Sequence, residues 1–123
     1  MIDRLDEMLR FQSQALKLRS YRQELLAGNI ANADTPNYKA VDIDFHQALA
    51  SAAAPAKTAP ADPAGSPAAA PVLYRVPSQA SLDGNTVDMD AERAQFADNT
   101  VRYEAALQVL NAQIKTMLSA LQG

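Results

Sequence analysis

His46 is the only histidine in the 123 residues, and it stands close to Asp42 and Asp44. A histidine beside a carboxylate is the smallest pairing that can move protons near neutral pH. Here it has no cysteine and no evident serine to activate, and a histidine so placed is more often a surface residue than a base. A zinc site needs three or four ligands, which one histidine and no cysteine cannot supply. Asp42 with Asp44, and Asp88 with Asp90, suggest hard-cation binding. The stretch from Asp83 puts Asp83 and Asn85 at the first and third positions of a calcium loop. It then fails, with Asp88 where glycine belongs and Ala94 where the bidentate glutamate belongs. Capping and turn roles suit these acids better. Gly28, Gly65, Gly84 and Gly123 are too scattered to cradle a phosphate. No catalytic residue, cofactor or metal ligand set is expected.

The densest group of polar residues is the run NIANADTPNYKAVDIDF, residues 29 to 45, and its chemistry is that of the backbone. Pro36 fixes its own φ and pushes Thr35 toward extended geometry, so a preceding helix must stop before it. Asn37 suits the second central position of a tight turn, because asparagine tolerates positive φ. Asn29, Asn32 and Asp34 can bond nearby backbone groups as the helix unwinds. Tyr38 and Lys39 follow, and Val41, Ile43 and Phe45 then alternate as a short extended run with one apolar face.

The elements that hold this turn are read from periodicity. Residues 3 to 31 lack proline, and their apolar residues return at helical spacing. Ile2, Leu5, Leu9, Leu16, Ala27 and Ile30 share one face, while Phe11, Leu18 and Leu25 form a second stripe at seven-residue steps. Two stripes are more than one partner helix can cover. At the other end Phe96, Thr100, Tyr103, Leu107, Leu110, Ile114, Met117 and Leu121 recur in steps of four and three, an a/d seam of over three heptads. Asp88 or Asp90 can cap this helix, Glu92 adds negative charge in its first turn, and Asp98 pairs with Arg102 at i, i+4.

Between these helices, residues 51 to 71 hold ten alanines and five prolines with no large apolar side chain. They read as a semi-stiff spacer or exposed loop that cannot join a core. VLYRV at 72 to 76 has strand composition and Asp83-Gly84 is a turn signal, which predicts a small hairpin that Pro77 confines to a sheet edge. The divisions are thus 1–32 N-terminal helix, 33–50 turn and extended segment, 51–71 Ala/Pro-rich loop, 72–87 short hairpin, and 88–123 C-terminal heptad helix. The fold class is all-α, with the long terminal helices pairing as a coiled coil around an irregular centre.

A net charge of −3 without clustered Lys and Arg argues against nucleic-acid binding. Arg4, Arg10, Lys17, Arg19 and Arg22 are interleaved with Asp3, Asp6, Glu7 and Glu24, the pattern of a solvated mixed-charge face. The N-terminal residues lack the apolar run of a secretory signal, and no window is apolar enough to span a membrane. These facts alone suggest a cytoplasmic protein.

The run from Asn29 closely resembles the signature of bacterial flagellar rod and hook proteins, usually Asn-Ile-Ala-Asn, two positions containing Asp or Asn, then Thr-Pro-Gly-Tyr-Lys. Asn29, Ile30, Ala31, Asn32, Thr35, Pro36, Tyr38 and Lys39 match it, and Asn37 replaces the common glycine while keeping the capacity for positive φ. AVDIDF, the N-terminal helix and GNTVDMD before the last helix are most similar to the proximal rod members of the basal body rod protein family. The likeness covers roughly 80 residues and omits the Ala/Pro stretch.

The resemblance implies a structural subunit of the flagellar basal body rod, without enzymatic activity, that assembles helically around a central export channel for motility. It implies as partners the chain itself, other rod proteins, the rod adaptor FliE, the inner-membrane ring and the flagellar type III export apparatus. It also replaces the cytoplasm with the periplasm, reached uncleaved through that apparatus. On this reading Phe96, Tyr103, Leu107, Leu110, Ile114, Met117 and Leu121 form the assembly seam. Leu5, Leu9, Phe11, Leu16, Leu18 and Leu25 pack the first helix, and the turn from Asn29 to Lys39 fixes where the chain leaves it. A cytoplasmic helical adaptor or export chaperone is the alternative, separated by whether the protein fractionates with basal bodies. Exposed seams further predict a monomer poorly ordered at its ends that gains helix on assembly.

Overall fold

The computed structural model describes residues 2–53, 71–77 and 79–123. They form α1 (Ile2–Ala31), β1 (Val41–Ile43), α2 (Phe45–Ala53), β2 (Val72–Tyr74) and α3 (Met89–Gln122). The spacer proposed at 51–71 lies mostly outside the described residues, since 54–70 are not among them.

The two long helices run where periodicity places them and pack along each other. At 34 residues α3 is about 50 Å long. Of its two candidate caps, Asp88 serves: its carboxylate accepts the Ala91 N–H at 3.3 Å. Asp90 and Glu92 follow in the first turn, and Asp98 meets Arg102 at 2.9 Å on the exposed surface.

The apolar seam of α3 divides. Phe96, Tyr103, Leu110 and Met117 are half-buried, whereas Leu107 and Ile114 are 39% exposed and Leu121 85%. The line that complements the buried half is Glu92, Asn99, Ala106 and Gln113, also at seven-residue steps. Glu92 and Asn99 are fully buried, and Asn99 reaches the Arg19 carbonyl and the Gln23 Oε1 of α1 at 2.9 and 2.7 Å. Three of these four residues are polar: Glu92 and Asn99 hydrogen-bond to α1, while Asn99 Oδ1 and Gln113 Oε1 are buried without a partner. The more apolar line through Leu107, Ile114 and Leu121 is turned to the flank.

Of the second stripe of α1, Leu18 and Leu25 are covered within the chain, while Phe11 stays exposed. Leu18, Ile43 and Ala48 form a buried cluster against which Tyr21, Leu25, Phe45 and Leu49 pack. Its cover is α2, which spans the end of the segment expected to be extended and the start of the expected spacer. Asp44 explains the difference: its Oδ1 accepts the Gln47 N–H at 3.2 Å and its carbonyl accepts the Ala48 N–H at 2.9 Å, an N-cap that stops the strand at Ile43. Phe45, Ala48 and Leu49 then share the face toward α1. The Arg19 guanidinium lies 4.2 Å from the Phe45 ring centre, and burial, with Arg102 and Arg22 nearby, holds its pKa below the ordinary arginine value.

Among the described residues the hairpin expected within 72–87 does not form. β2 pairs antiparallel with β1 instead, Val41 opposite Tyr74, Asp42 opposite Leu73 and Ile43 opposite Val72. Residues 82–87 have other uses for their backbone groups. The Asp83 carbonyl accepts the Asn37 N–H at 2.8 Å, and the Thr86 N–H donates to the Tyr38 carbonyl at 3.0 Å. The Asp83-Gly84 turn therefore docks on the segment after α1 and is not free to return toward β2.

Candidate functional site

Where α1 ends, the asparagines form a built junction. Asn32 Nδ2 donates to the Gly28 carbonyl at 2.8 Å, and Asn32 Oδ1 accepts the Thr35 hydroxyl at 3.1 Å, so its side chain closes the helix end. The Tyr38 N–H donates to the Thr35 carbonyl at 3.3 Å across Pro36 and Asn37, and Asn37 has φ 62°. Proline first and positive φ second is a type II turn.

Across from it Gly84 has φ 75°, and a Cβ there would stand 2.5 Å from Asn37 Oδ1. Glycine meets both the backbone and the steric requirement. Lys39 Nζ donates to the Gly84 carbonyl. Asn85 ties the docked turn to the segment that follows α1: its Nδ2 lies 2.9, 2.9 and 2.8 Å from the carbonyls of Asn32, Ala33 and Thr35.

Asn29, fully buried, uses its whole side-chain capacity. Its Nδ2 donates to the Val41 carbonyl at 2.8 Å and to Glu92 Oε2 at 3.0 Å. Its Oδ1 accepts the Val41 N–H at 3.0 Å and the Tyr38 hydroxyl at 3.2 Å. One amide thereby fixes α1, the turn, β1 and α3 together.

A chain of charges continues from Glu92. Arg75, just after β2, places Nε 2.8 Å from Glu92 Oε1 and an Nη 2.7 Å from Asp42 Oδ2. The first of these is an ion pair without hydrogen-bond alignment, as neither atom has a directional partner. Asp42 also receives Arg22 through two bonds of 3.0 and 3.1 Å, and Arg22 reaches Gln95 Oε1 at 2.9 Å. Two cations and two carboxylates balance one another between α1, β1, β2 and α3. Such a cluster can join elements, and its carboxylates are largely enclosed: the Glu92 side chain is 1% exposed and that of Asp42 14%.

Away from the junction, the helix pair leaves apolar surface uncovered. Leu5, Met8, Val109, Ala112, Gln113, Thr116 and Met117 line an open groove where the start of α1 meets the end of α3. Leu107, Ile114, Leu118 and Leu121 crop out on the other flank of α3. Of the residues expected to pack α1, Leu18 is buried, Leu9, Leu16 and Leu25 are half-buried, and Leu5 and Phe11 are exposed. His46 is exposed on α2. Among the described residues no three metal-ligating side chains gather, and no helix is long and apolar enough to cross a membrane.

A model of the flagella basal body rod protein family matches residues 9–39, most of α1 with its turn. Flagellar basal body rod protein FlgB of Salmonella typhimurium is 53% identical over 137 residues, an alignment that spans 100% of this chain and 99% of that protein. The chain belongs to the FlgB family of rod proteins. FlgB of Escherichia coli is 50% identical over the same spans, and FlgB of Cereibacter sphaeroides 46% identical over 95% of each chain.

Asn29, Asn32, Thr35, Pro36, Asn37, Tyr38 and Lys39, which stand out in the sequence by their backbone-bonding types and match the family signature apart from Asn37, all lie in or beside one junction. Four residues of that junction were read otherwise. Arg22 was assigned to a solvated face, Asp42 to turn formation and Glu92 to the helix dipole, and Arg75 was only part of a strand. The sequence carries one signal for Glu92, its place seven residues before Asn99 on a heptad line, although glutamate is rarely buried.

Proposed function

We propose that this chain is a structural subunit of the flagellar basal body rod and acts by assembly, not catalysis. The observation that carries this reading is similarity to FlgB proteins along the whole of both chains. The uncovered apolar rim agrees with it: Leu107, Ile114, Leu118 and Leu121 lie beyond what α1 covers, as a subunit needs if it is to pack on neighbours. In this proposal subunits assemble helically around the export channel through the free flank of α3 and the groove beside Leu5 and Met8, while the junction after α1 sets the angle at which the centre of the chain leaves the pair. Neighbours are further copies, other rod proteins, the adaptor FliE and the inner-membrane ring. The chain reaches the periplasm uncleaved through the flagellar type III export apparatus.

Deleting Ile114 to Leu121 removes the end of α3 and should abolish incorporation into purified basal bodies and motility on soft agar. Normal rods built from the truncated chain would refute the assignment of the seam.

A further inference from the structure

Glu92 is the buried charge whose position asks for more than packing. Its carboxylate is enclosed between α1 and α3, and three elements meet it: Asn29 of α1 with a neutral amide at 3.0 Å, Arg75 beyond β2 with a guanidinium at 2.8 Å, and its own α3. The other nearby cation, Arg22, is engaged with Asp42 and Gln95. Arg75 is thus the cation that neutralises Glu92, and it comes from a strand that little else secures. Val72, Leu73, Tyr74 and Val76 around it are 43, 50, 74 and 93% exposed, so apolar burial contributes little to holding β2. Three paired residues, the Arg75 N–H bond to the Ala40 carbonyl and the Arg75–Asp42 pair complete its attachment.

We propose that Arg75 is a latch that makes closure of α3 on α1 at the junction conditional on docking of β2. When β2 lifts, Arg22 and Asp42 keep each other, whereas Glu92 is left with a neutral amide only. A buried carboxylate without its cation is strongly unfavourable. It is relieved by hydration, which requires the first turns of α3 to move off α1. Docking of β2 and closure of the helix pair therefore favour each other, and the coupling is reciprocal. The opening is local, because the Leu18, Ile43 and Ala48 cluster under α2 has no contribution from β2. Any partner that drew β2 away would loosen the start of α3 as a consequence.

Amide hydrogen exchange on the full-length chain tests this with Arg75→Met, Glu92→Gln and the double variant. Arg75→Met should speed exchange in 26–31 and 93–99 by at least about tenfold while 15–22 and 46–50 stay protected. Glu92→Gln should uncouple the two events: exchange in 72–75 rises, yet 93–99 remains protected, since glutamine needs no cation. The double variant should return 93–99 to within about threefold of the parent. Unchanged exchange in Arg75→Met overturns the latch, as does a double variant as open as Arg75→Met. If Arg75→Met does not fold, a folded double variant supports the proposal and an unfolded one overturns it.

Discussion

Asn29 shows how much one side chain can decide. Both amide hydrogens and both oxygen lone pairs are used, and the four partners belong to Val41, Tyr38 and Glu92, between 9 and 63 residues away in sequence. Replacing it by alanine strands a buried carboxylate oxygen and the peptide groups of Val41, and each unsatisfied buried group costs about 1–3 kcal/mol. Asn29→Ala should therefore destabilise the chain by about 3 kcal/mol or more. Denaturant unfolding of the full-length protein measures this, and a loss no larger than that of a surface substitution would show that the junction is not cooperative. The residue types in this stretch were legible as backbone-bonding groups, and the positive φ of Asn37 followed from its place after Pro36. Asn29's actual partners were not legible. Local pattern reveals what a side chain can bond, but not which distant carboxylate the fold will bring to it.

At the scale of elements, periodicity located both long helices to within a residue or two, and the polarity of a buried line misled it. A seam read by apolarity alone joins Phe96 to Thr100 and Leu107, yet α1 bonds the buried Asn99 as well as Thr100, and Leu107 is left exposed. The helix α2 was hidden because its sequence runs without a break into alanine and proline, and only Asp44 marks its start. A buried asparagine in a helical seam usually trades stability for a single register. Asn99 has that form: it donates to Arg19 and Gln23 of α1, while its Oδ1 is buried without a partner. Asn99→Leu removes the unpaired oxygen and adds apolar contact, so it should stabilise the pair by about 1 kcal/mol while allowing α3 to shift by a heptad. Distances between spin labels on α1 and α3 should be single-valued in the parent and broadened in the variant. A destabilised variant with one sharp distance would mean that Asn99 stabilises the pair and does not select its register.

For the whole molecule, the distribution of exposure separates residues that make the fold from residues left over for neighbours. Leu26 is fully buried between the elements, so Leu26→Ala should cost about 2–5 kcal/mol and weaken every property of the chain together. Ile114 is 39% exposed on the flank of α3, and an aspartate there can keep its carboxylate in water. Ile114→Asp should change the stability of the isolated chain by no more than about 1 kcal/mol, yet a charge inside an apolar contact between subunits is costly. The expected result is a chain of near-normal helicity and secretion that is missing from purified basal bodies. Circular dichroism, immunoblots of the culture medium and immunoblots of basal bodies read the three quantities separately. If Ile114→Asp enters rods as well as the parent does, the Leu107–Leu121 flank faces solvent in the assembly, and the contact must be sought in the groove beside Leu5 and Met8. If it fails to fold, Ile114 belongs to the subunit's own packing, and the division between buried and outward halves of the seam has been drawn in the wrong place.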